Sequence, residues 1–107
     1  GLRTHPDPQV IPPLIAALND PDALTASLAA DALEAIGAEA VPALLEALQS
    51  GPQVARLKAV RALATIGDTR SIPALYAALD EDSAWMEYWA AEGLERMGVG
   101  MVFFKPS

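Results

Sequence analysis

The residues that could do chemistry in this chain are acidic and aromatic rather than nucleophilic. Its 107 residues include one histidine, His5, and no cysteine, so they offer little from which to build a metal site or a nucleophilic triad. The acidic run Asp80–Asp82 resembles half of a calcium-binding loop without its register, and helix capping by Asp82 explains it better. Glu92 and Glu95 share a helix face, but nothing predicts enough burial to raise a carboxyl pKa. We therefore predict no catalytic, cofactor or metal site, and a protein that is not an enzyme.

The aromatic side chains are confined to the last third of the chain. None of the six precedes Tyr76. Four residues at spacing i, i+4, i+7 and i+11 form one stripe of a predicted helix: Trp85, Trp89, Glu92 and Arg96. Tyr88 lies beside Trp85. Since Trp, Tyr and Arg dominate interface hot spots, this stripe is a candidate protein-binding surface.

Two other interpretations of the aromatic residues stay open. Trp89 and the apolar segment 99–107 could instead cover the exposed end of a repeat stack. The same segment could also act as an apolar hook for a partner or for a second copy of the chain.

Charge and hydropathy narrow the class of partner. The formal net charge is −7, with 7 basic and 14 acidic residues, which argues against binding to a phosphate backbone. No apolar run approaches the roughly 20 residues of a membrane span, and no signal-peptide pattern is present. We expect a cytoplasmic protein that binds neither nucleic acid nor membrane.

An internal repeat of about thirty residues organises the chain. The segments 10–18, 40–48 and 71–79 align, each with a proline near its start, and each is followed by a helical run that ends in glycine. The aligned prolines are Pro12, Pro42 and Pro73; the aligned glycines are Gly37, Gly67 and Gly98. This pattern predicts three helix pairs at about 8–37, 38–67 and 68–98, because proline is tolerated in a first turn and glycine favours a C-terminal cap. Segment 99–107 would form a capping tail.

The starts of the second helices are predicted from their capping residues. Asp20 followed by Pro21 should begin the first of them, with Asp20 as the N-cap. Segments 50–52 and 82–83 should begin the other two. Ala55, Ala59, Leu63 and Ile66 should point inward from the second of these helices.

The repeated pattern resembles short HEAT-like repeats of the phycobilisome-lyase, armadillo-type class. The resemblance covers residues 8–98 and is strongest in the second unit, which carries Arg56, Gly67 and Asp68. Units one and three depart from it, with Ala26 and Glu87 in place of the usual arginine. The resemblance implies a right-handed α-solenoid of three helix pairs in a single small domain, residues 1–107. Its members include bilin lyase subunits and phycobilisome-turnover factors.

The resemblance also implies that the second helix of each pair faces the concave, client-binding surface. A count of 100° per residue places three rows of side chains outward: Asp31, Arg61 and Glu92; Ser27, Leu57 and Tyr88; Leu24, Val54 and Trp85. The first row predicts a ladder of ion pairs between helices, or alternatively an anion contact at Arg61.

These expectations converge on an interaction scaffold. The predicted client-binding residues are Trp85, Tyr88, Trp89, Glu92, Arg96, Arg61 and Leu57. The expected partner is a protein such as a phycobiliprotein, bound by a chain that is monomeric or self-associates weakly through its C-terminal tail. The alternative is an accessory or chaperone subunit of a bilin lyase, or a phycobilisome-turnover factor. Such lyases join bilin to a cysteine of the client, so the lack of cysteine here excludes only an internal thiol.

Overall fold

A computed structural model describes residues 8–98 as three successive pairs of antiparallel helices. The first helices of the pairs are α1 (Ile11–Ala17), α3 (Val41–Ser50) and α5 (Ile72–Leu79), and the second helices are α2 (Ala23–Ile36), α4 (Gln53–Ile66) and α6 (Ala84–Arg96). Short 3-10 turns precede α1, α3 and α5, at Pro8–Val10, Gly37–Ala40 and Thr69–Ser71. Within the described range there is no strand, and the all-α solenoid predicted from the repeat is confirmed. His5 and the tail 99–107 lie outside the described residues.

The helix boundaries follow the aligned prolines and glycines. A proline lies in the first turn of α1, α3 and α5, where its missing N–H costs no hydrogen bond. The glycines that follow α2, α4 and α6 all have positive φ, at 80°, 70° and 80° for Gly37, Gly67 and Gly98. Such backbone angles are strained for other residues, so the glycines mark where each second helix has to end.

The predicted N-caps are partly wrong. Helix α2 begins two residues later than expected: Asp22 is the N-cap and accepts a hydrogen bond from the Leu24 N–H at 3.2 Å. Asp20 instead accepts from the Asp22 N–H at 2.8 Å, which tightens the preceding turn. At α6 the cap is Ser83 rather than Asp82, and its hydroxyl accepts from the Met86 N–H.

A single apolar core runs between the helices. The leucines at its centre are fully buried: Leu18, Leu33, Leu44, Leu63, Leu75 and Leu94. Of the four inward positions expected in α4, Ala55, Ala59 and Leu63 are buried, and Ile66 is partly buried. Helix α4 is the central element, because it packs against α2, α3 and α6.

Arg56 ties the second and third helix pairs together. Its Nε donates to the Leu48 carbonyl near the end of α3 at 2.6 Å. Its Nη1 and Nη2 donate to the two carboxylate oxygens of Glu81, in the turn between α5 and α6. The hydrogen bond to Glu81 raises the pKa of the Arg56 guanidinium above its ordinary value. Glu81, noted in the sequence as part of an acidic run, is therefore a structural ion-pair partner.

Candidate protein-binding groove

The three second helices line a groove of about 540 Å³. We call it the second-helix groove and define it by the residues that line it: Asn19, Asp20, Pro21, Ala23, Ala26, Val54, Leu57, Lys58, Arg61, Trp85 and Trp89. The residues come from the α1–α2 turn, from the N-terminal halves of α2 and α6, and from the first nine residues of α4. The N-terminal part of the face that carries the predicted outward rows thus forms a depression that a ligand could enter.

Trp85 and Trp89 form one wall of this groove, which we call the aromatic wall. Trp85 is 63% exposed and Tyr88 is 52% exposed, as their positions in the outward rows predict. The ring of Tyr88 contacts both indoles, with its centroid 6.0 Å from that of Trp85 and 5.1 Å from that of Trp89. Both contacts are edge-to-face, a favoured geometry for aromatic pairs. Trp89 is half-buried and packs against the core, so it anchors the wall while the other two rings face solvent.

The predicted ion-pair ladder is present only between α2 and α4. Arg61 donates to Asp31 Oδ1 at 2.7 Å and to Glu34 Oε2 at 3.2 Å. The expected continuation to α6 is wrong, because the ion pair of Glu92 is formed with Arg96 on its own helix at 3.5 Å. Two carboxylates already balance the charge of Arg61. The row of Asp31, Arg61 and Glu92 is therefore better explained by ion pairs between helices than by an anion-binding site at Arg61.

The structure brings only part of the predicted site to the groove. Leu57, Arg61, Trp85 and Trp89 line it, and Tyr88 contacts the aromatic wall. Glu92 and Arg96 are not among the lining residues; they lie further along α6. Leu57, expected to face outward, is partly buried against the core, because α4 has neighbours on both sides.

Lys58 was not among the predicted binding residues. This side chain lies in the central helix of the groove, and its Nζ donates to the Ser27 hydroxyl of α2 at 3.3 Å. The helical count could have found it, because position 58 lies one turn after Val54 and aligns with Trp89 in the last unit.

A second depression, of about 560 Å³, lies between α1 and α3, beside the start of α4. Pro12, Ile15, Ala43 and Ala47 contribute to its lining, and Glu46 is the one ionisable residue there among those described. It is slightly larger than the second-helix groove but has no aromatic side chain and no cation among its lining residues. The second-helix groove offers the more varied contacts.

Residues 8–98 contain neither a cluster of possible metal ligands nor a helix that could span a membrane. No three His, Cys, Asp or Glu side chains within this range are placed to hold a metal ion. The helices described here are also too short or too polar to cross a bilayer.

Comparison with known proteins agrees with the repeat architecture. A phycocyanobilin lyase subunit beta from Pseudanabaena tenuis is 46% identical over 76 residues, which is 69% of this chain and 26% of that protein. The chain thus spans about a quarter of that relative's length. Matches to the family described as HEAT repeats cover residues 1–53 and 41–100. Because these matches take in almost all of the sequence and the helix pairs follow the same periodicity, the chain belongs to the HEAT-repeat family.

Proposed function

We propose that this chain is a non-enzymatic protein-binding module whose client occupies the second-helix groove. The observation that carries the proposal is the exposed pair Trp85 and Tyr88 at the edge of that groove. Large rings that remain exposed beside a concave, partly apolar surface are typical of interaction sites rather than of ordinary solvent-facing helices.

The arrangement of the wall supports this proposal. Trp89 is fixed by the core and Tyr88 packs edge-on against it, so the exposed rings are held in place before a client arrives. Such preorganisation lowers the entropy that is lost on binding. Val54, which is 51% exposed, and Leu57 add aliphatic surface from the central helix. A client side chain could thus contact apolar groups from α4 and α6 together.

The test compares the chain with a Trp85→Ala/Tyr88→Ala variant as bait in a cell extract. Proteins captured by the unaltered chain are identified, and the affinity of each purified candidate is then measured by calorimetry. The matched control is Leu24→Ala/Leu28→Ala, since these leucines are 65% and 58% exposed but do not line the groove. Circular dichroism checks that both variants keep their helices.

The proposal predicts a client whose affinity falls at least tenfold in the aromatic variant and stays unchanged in the leucine control, because interface aromatics commonly contribute about 2 kcal/mol or more. Equal affinity for all three proteins would refute the assignment of the groove.

A second candidate function follows from the 46% identical relative, which is named as a phycocyanobilin lyase subunit. In this proposal the chain is the client-binding part of such a subunit, and the partner is a phycobiliprotein. Two measurements separate it from a general scaffold: the affinity for a phycocyanin apoprotein, and the absorbance spectrum of phycocyanobilin mixed with the chain. Binding of the apoprotein that depends on Trp85 supports the lyase assignment, and absence of both signals excludes it.

A further inference from the structure

Lys58 differs from every other cation that the structure describes. Four arginines in residues 8–98 each pair with a carboxylate: Arg56 with Glu81, Arg61 with Asp31 and Glu34, Arg70 with Asp68, and Arg96 with Glu92. Within that range Lys58 has no carboxylate within ion-pair distance, and its recorded hydrogen bond goes to the neutral hydroxyl of Ser27. In a chain with 14 acidic residues and 7 basic ones, an ammonium group without a carboxylate partner is unexpected.

The position of Lys58 makes this unpaired charge relevant to binding. It lies on α4, the helix between α2 and α6, and lines the second-helix groove together with Val54, Trp85 and Trp89. Its side chain is only partly exposed, and a charge beside apolar side chains is less well screened than one on an open surface. A carboxylate that entered the groove could form a charge-assisted hydrogen bond with Nζ.

We infer that the groove recognises a peptide segment of the client in which an acidic side chain lies next to an aromatic or branched aliphatic one. The carboxylate pairs with Lys58, and the apolar side chain packs against Trp85 and the half-buried Trp89. This inference rests on the proposed function and specifies the chemistry of the client.

The surrounding charges limit the segment to one or two acidic residues. Asp20 also lines the groove, and Asp31 and Glu34 lie beside Arg61. With a net charge of −7, the chain would repel a long acidic run. A single carboxylate next to Lys58 is attracted to the ammonium group without meeting the other acidic side chains. The charge of Lys58 therefore favours segments with one acidic residue there, rather than acidic segments in general.

The test is selection from a phage-displayed library of random peptides about a dozen residues long, with the unaltered chain as the target. The most enriched peptide is synthesised with a fluorophore, and its affinity is measured by fluorescence polarisation. The variants are Lys58→Gln, which keeps a hydrogen-bond donor but removes the charge, and Trp85→Ala/Tyr88→Ala. The control is Arg70→Gln, which changes the net charge equally but lies in the turn before α5, outside the groove.

We expect enriched peptides with Asp or Glu within about two positions of an aromatic or branched aliphatic residue, the reach of one carboxylate and one ring in the same groove. Lys58→Gln should weaken binding about tenfold, and Arg70→Gln should leave it unchanged. A peptide in which Gln replaces the acidic residue should bind the unaltered chain and Lys58→Gln equally, because both have lost the same pair.

Three results would overturn the inference: no enriched peptide, enriched peptides without an acidic residue, or equal binding by Lys58→Gln. The arms also separate this inference from the proposed function. Binding that is lost in Trp85→Ala/Tyr88→Ala but retained in Lys58→Gln would disprove recognition of a carboxylate and leave the groove as the site. Peptides that bind both variants normally would count against both.

Discussion

At the scale of single residues, Arg56 shows how a side chain typical of the repeat family stabilises the stack. Its guanidinium satisfies a carbonyl at the end of α3 and a carboxylate in the turn before α6. The side chains of Arg56 and Glu81 are 20% and 30% exposed, so water screens this pair less than a surface pair. Units one and three have Ala26 and Glu87 at the aligned position, and this link is therefore particular to the second unit.

Replacing Arg56 by Met should lower the free energy of unfolding by about 1–3 kcal/mol, because it leaves the Leu48 carbonyl and the Glu81 carboxylate without their donor. Chemical denaturation measures the change. The control is Arg96→Met, whose pair with Glu92 is long, at 3.5 Å, and whose side chain is 50% exposed. That change should cost less than about 0.5 kcal/mol. Equal effects of the two substitutions would show that the Arg56 pair is no more than a surface contact.

At Gly93 the backbone of α6 lies close to α4 and α5. A Cβ atom added there would lie 2.9 Å from the Ala64 Cα and Cβ atoms and 2.9 Å from Leu75 Cδ1. Two of these atoms belong to the α4 backbone and its first side-chain carbon, which cannot move aside without shifting the helix. The residue type at this position thus sets how close the second and third pairs stack.

Gly93→Ala should therefore lower the free energy of unfolding by about 1–2 kcal/mol, although alanine is intrinsically the better helix former by about 1 kcal/mol. Thermal or urea denaturation distinguishes the two effects, because they have opposite signs. Ala91→Gly, at a partly exposed position of the same helix, measures the propensity contribution alone. A Gly93→Ala variant as stable as the unaltered chain would mean that α6 can move away at no cost.

At the scale of elements, the turn between α4 and α5 depends on one carboxylate. Asp68 accepts hydrogen bonds from the Arg70 side chain and from the Arg70 N–H, at 2.8 Å for the latter. Arg70 also donates to the Ala38 carbonyl at 2.9 Å, which links this turn to the one before α3. The side-chain hydrogen bond from Arg70, followed by the backbone one, lowers the pKa of Asp68 below its ordinary value.

A carboxyl group whose pKa is lower in the folded state stabilises the fold above its unfolded pKa, and that contribution is lost as the pH falls through the folded pKa. The melting temperature of the unaltered chain should therefore exceed that of Asp68→Asn at about pH 6, and the difference should shrink below about pH 4. Differential scanning calorimetry at several pH values measures it. Because the Arg70 side chain that pairs with Asp68 is 53% exposed, water screens the pair and we expect a small effect. A difference that stays constant with pH would contradict the assignment.

The elements themselves could be predicted, whereas their side-chain connections could not. Prolines and glycines fix where the helices begin and end through local backbone rules, so the aligned Pro42 and Gly67 were sufficient to define a helix pair. The N-cap of α2 was misplaced because Asp20 and Asp22 are both good caps, and the choice depends on how the turn packs. The pairing of Arg56 with Glu81 joins residues 25 positions apart, and no helical periodicity encodes it.

For the candidate site, too, the sequence predicted the positions of residues but not how their side chains pair. The helical count placed Trp85 and Tyr88 outside, and their exposure agrees with it. It allowed Glu92 to pair either with Arg96 one turn later or with Arg61 on α4, and it could not choose between them, because the rotamers of long side chains decide between neighbours at similar distances. The same count places Lys58 one turn after Val54, but it could not show that Lys58 has no carboxylate partner within residues 8–98, because that depends on how the neighbouring side chains pair.

At the scale of the whole molecule, most of the positive charge in residues 8–98 is used within the fold. The arginines described here are all engaged in ion pairs, which leaves little free positive charge for a phosphate backbone. The aromatic wall and Lys58 lie together on the face formed by the second helices. Trp85 and Tyr88 are exposed and take part in none of these ion pairs, so their replacement tests binding without removing the contacts that hold the stack.

The stacking pattern also makes a prediction about unfolding. Helix α4 packs against α2 and α6, and loss of the last pair would expose Ala64, which is fully buried and lies beside Gly93 of α6. With three units, most apolar surface is buried between neighbours, so partly unfolded stacks should be unfavourable and the described helices should unfold together.

Both tryptophans lie in α6, so their fluorescence reports on the last pair, whereas far-ultraviolet circular dichroism reports on all six helices. We expect the two urea transitions to superimpose, with one midpoint. A fluorescence transition at lower urea would show that α5 and α6 separate first, and in that case the aromatic wall would be the least stable part of the groove that it helps to form.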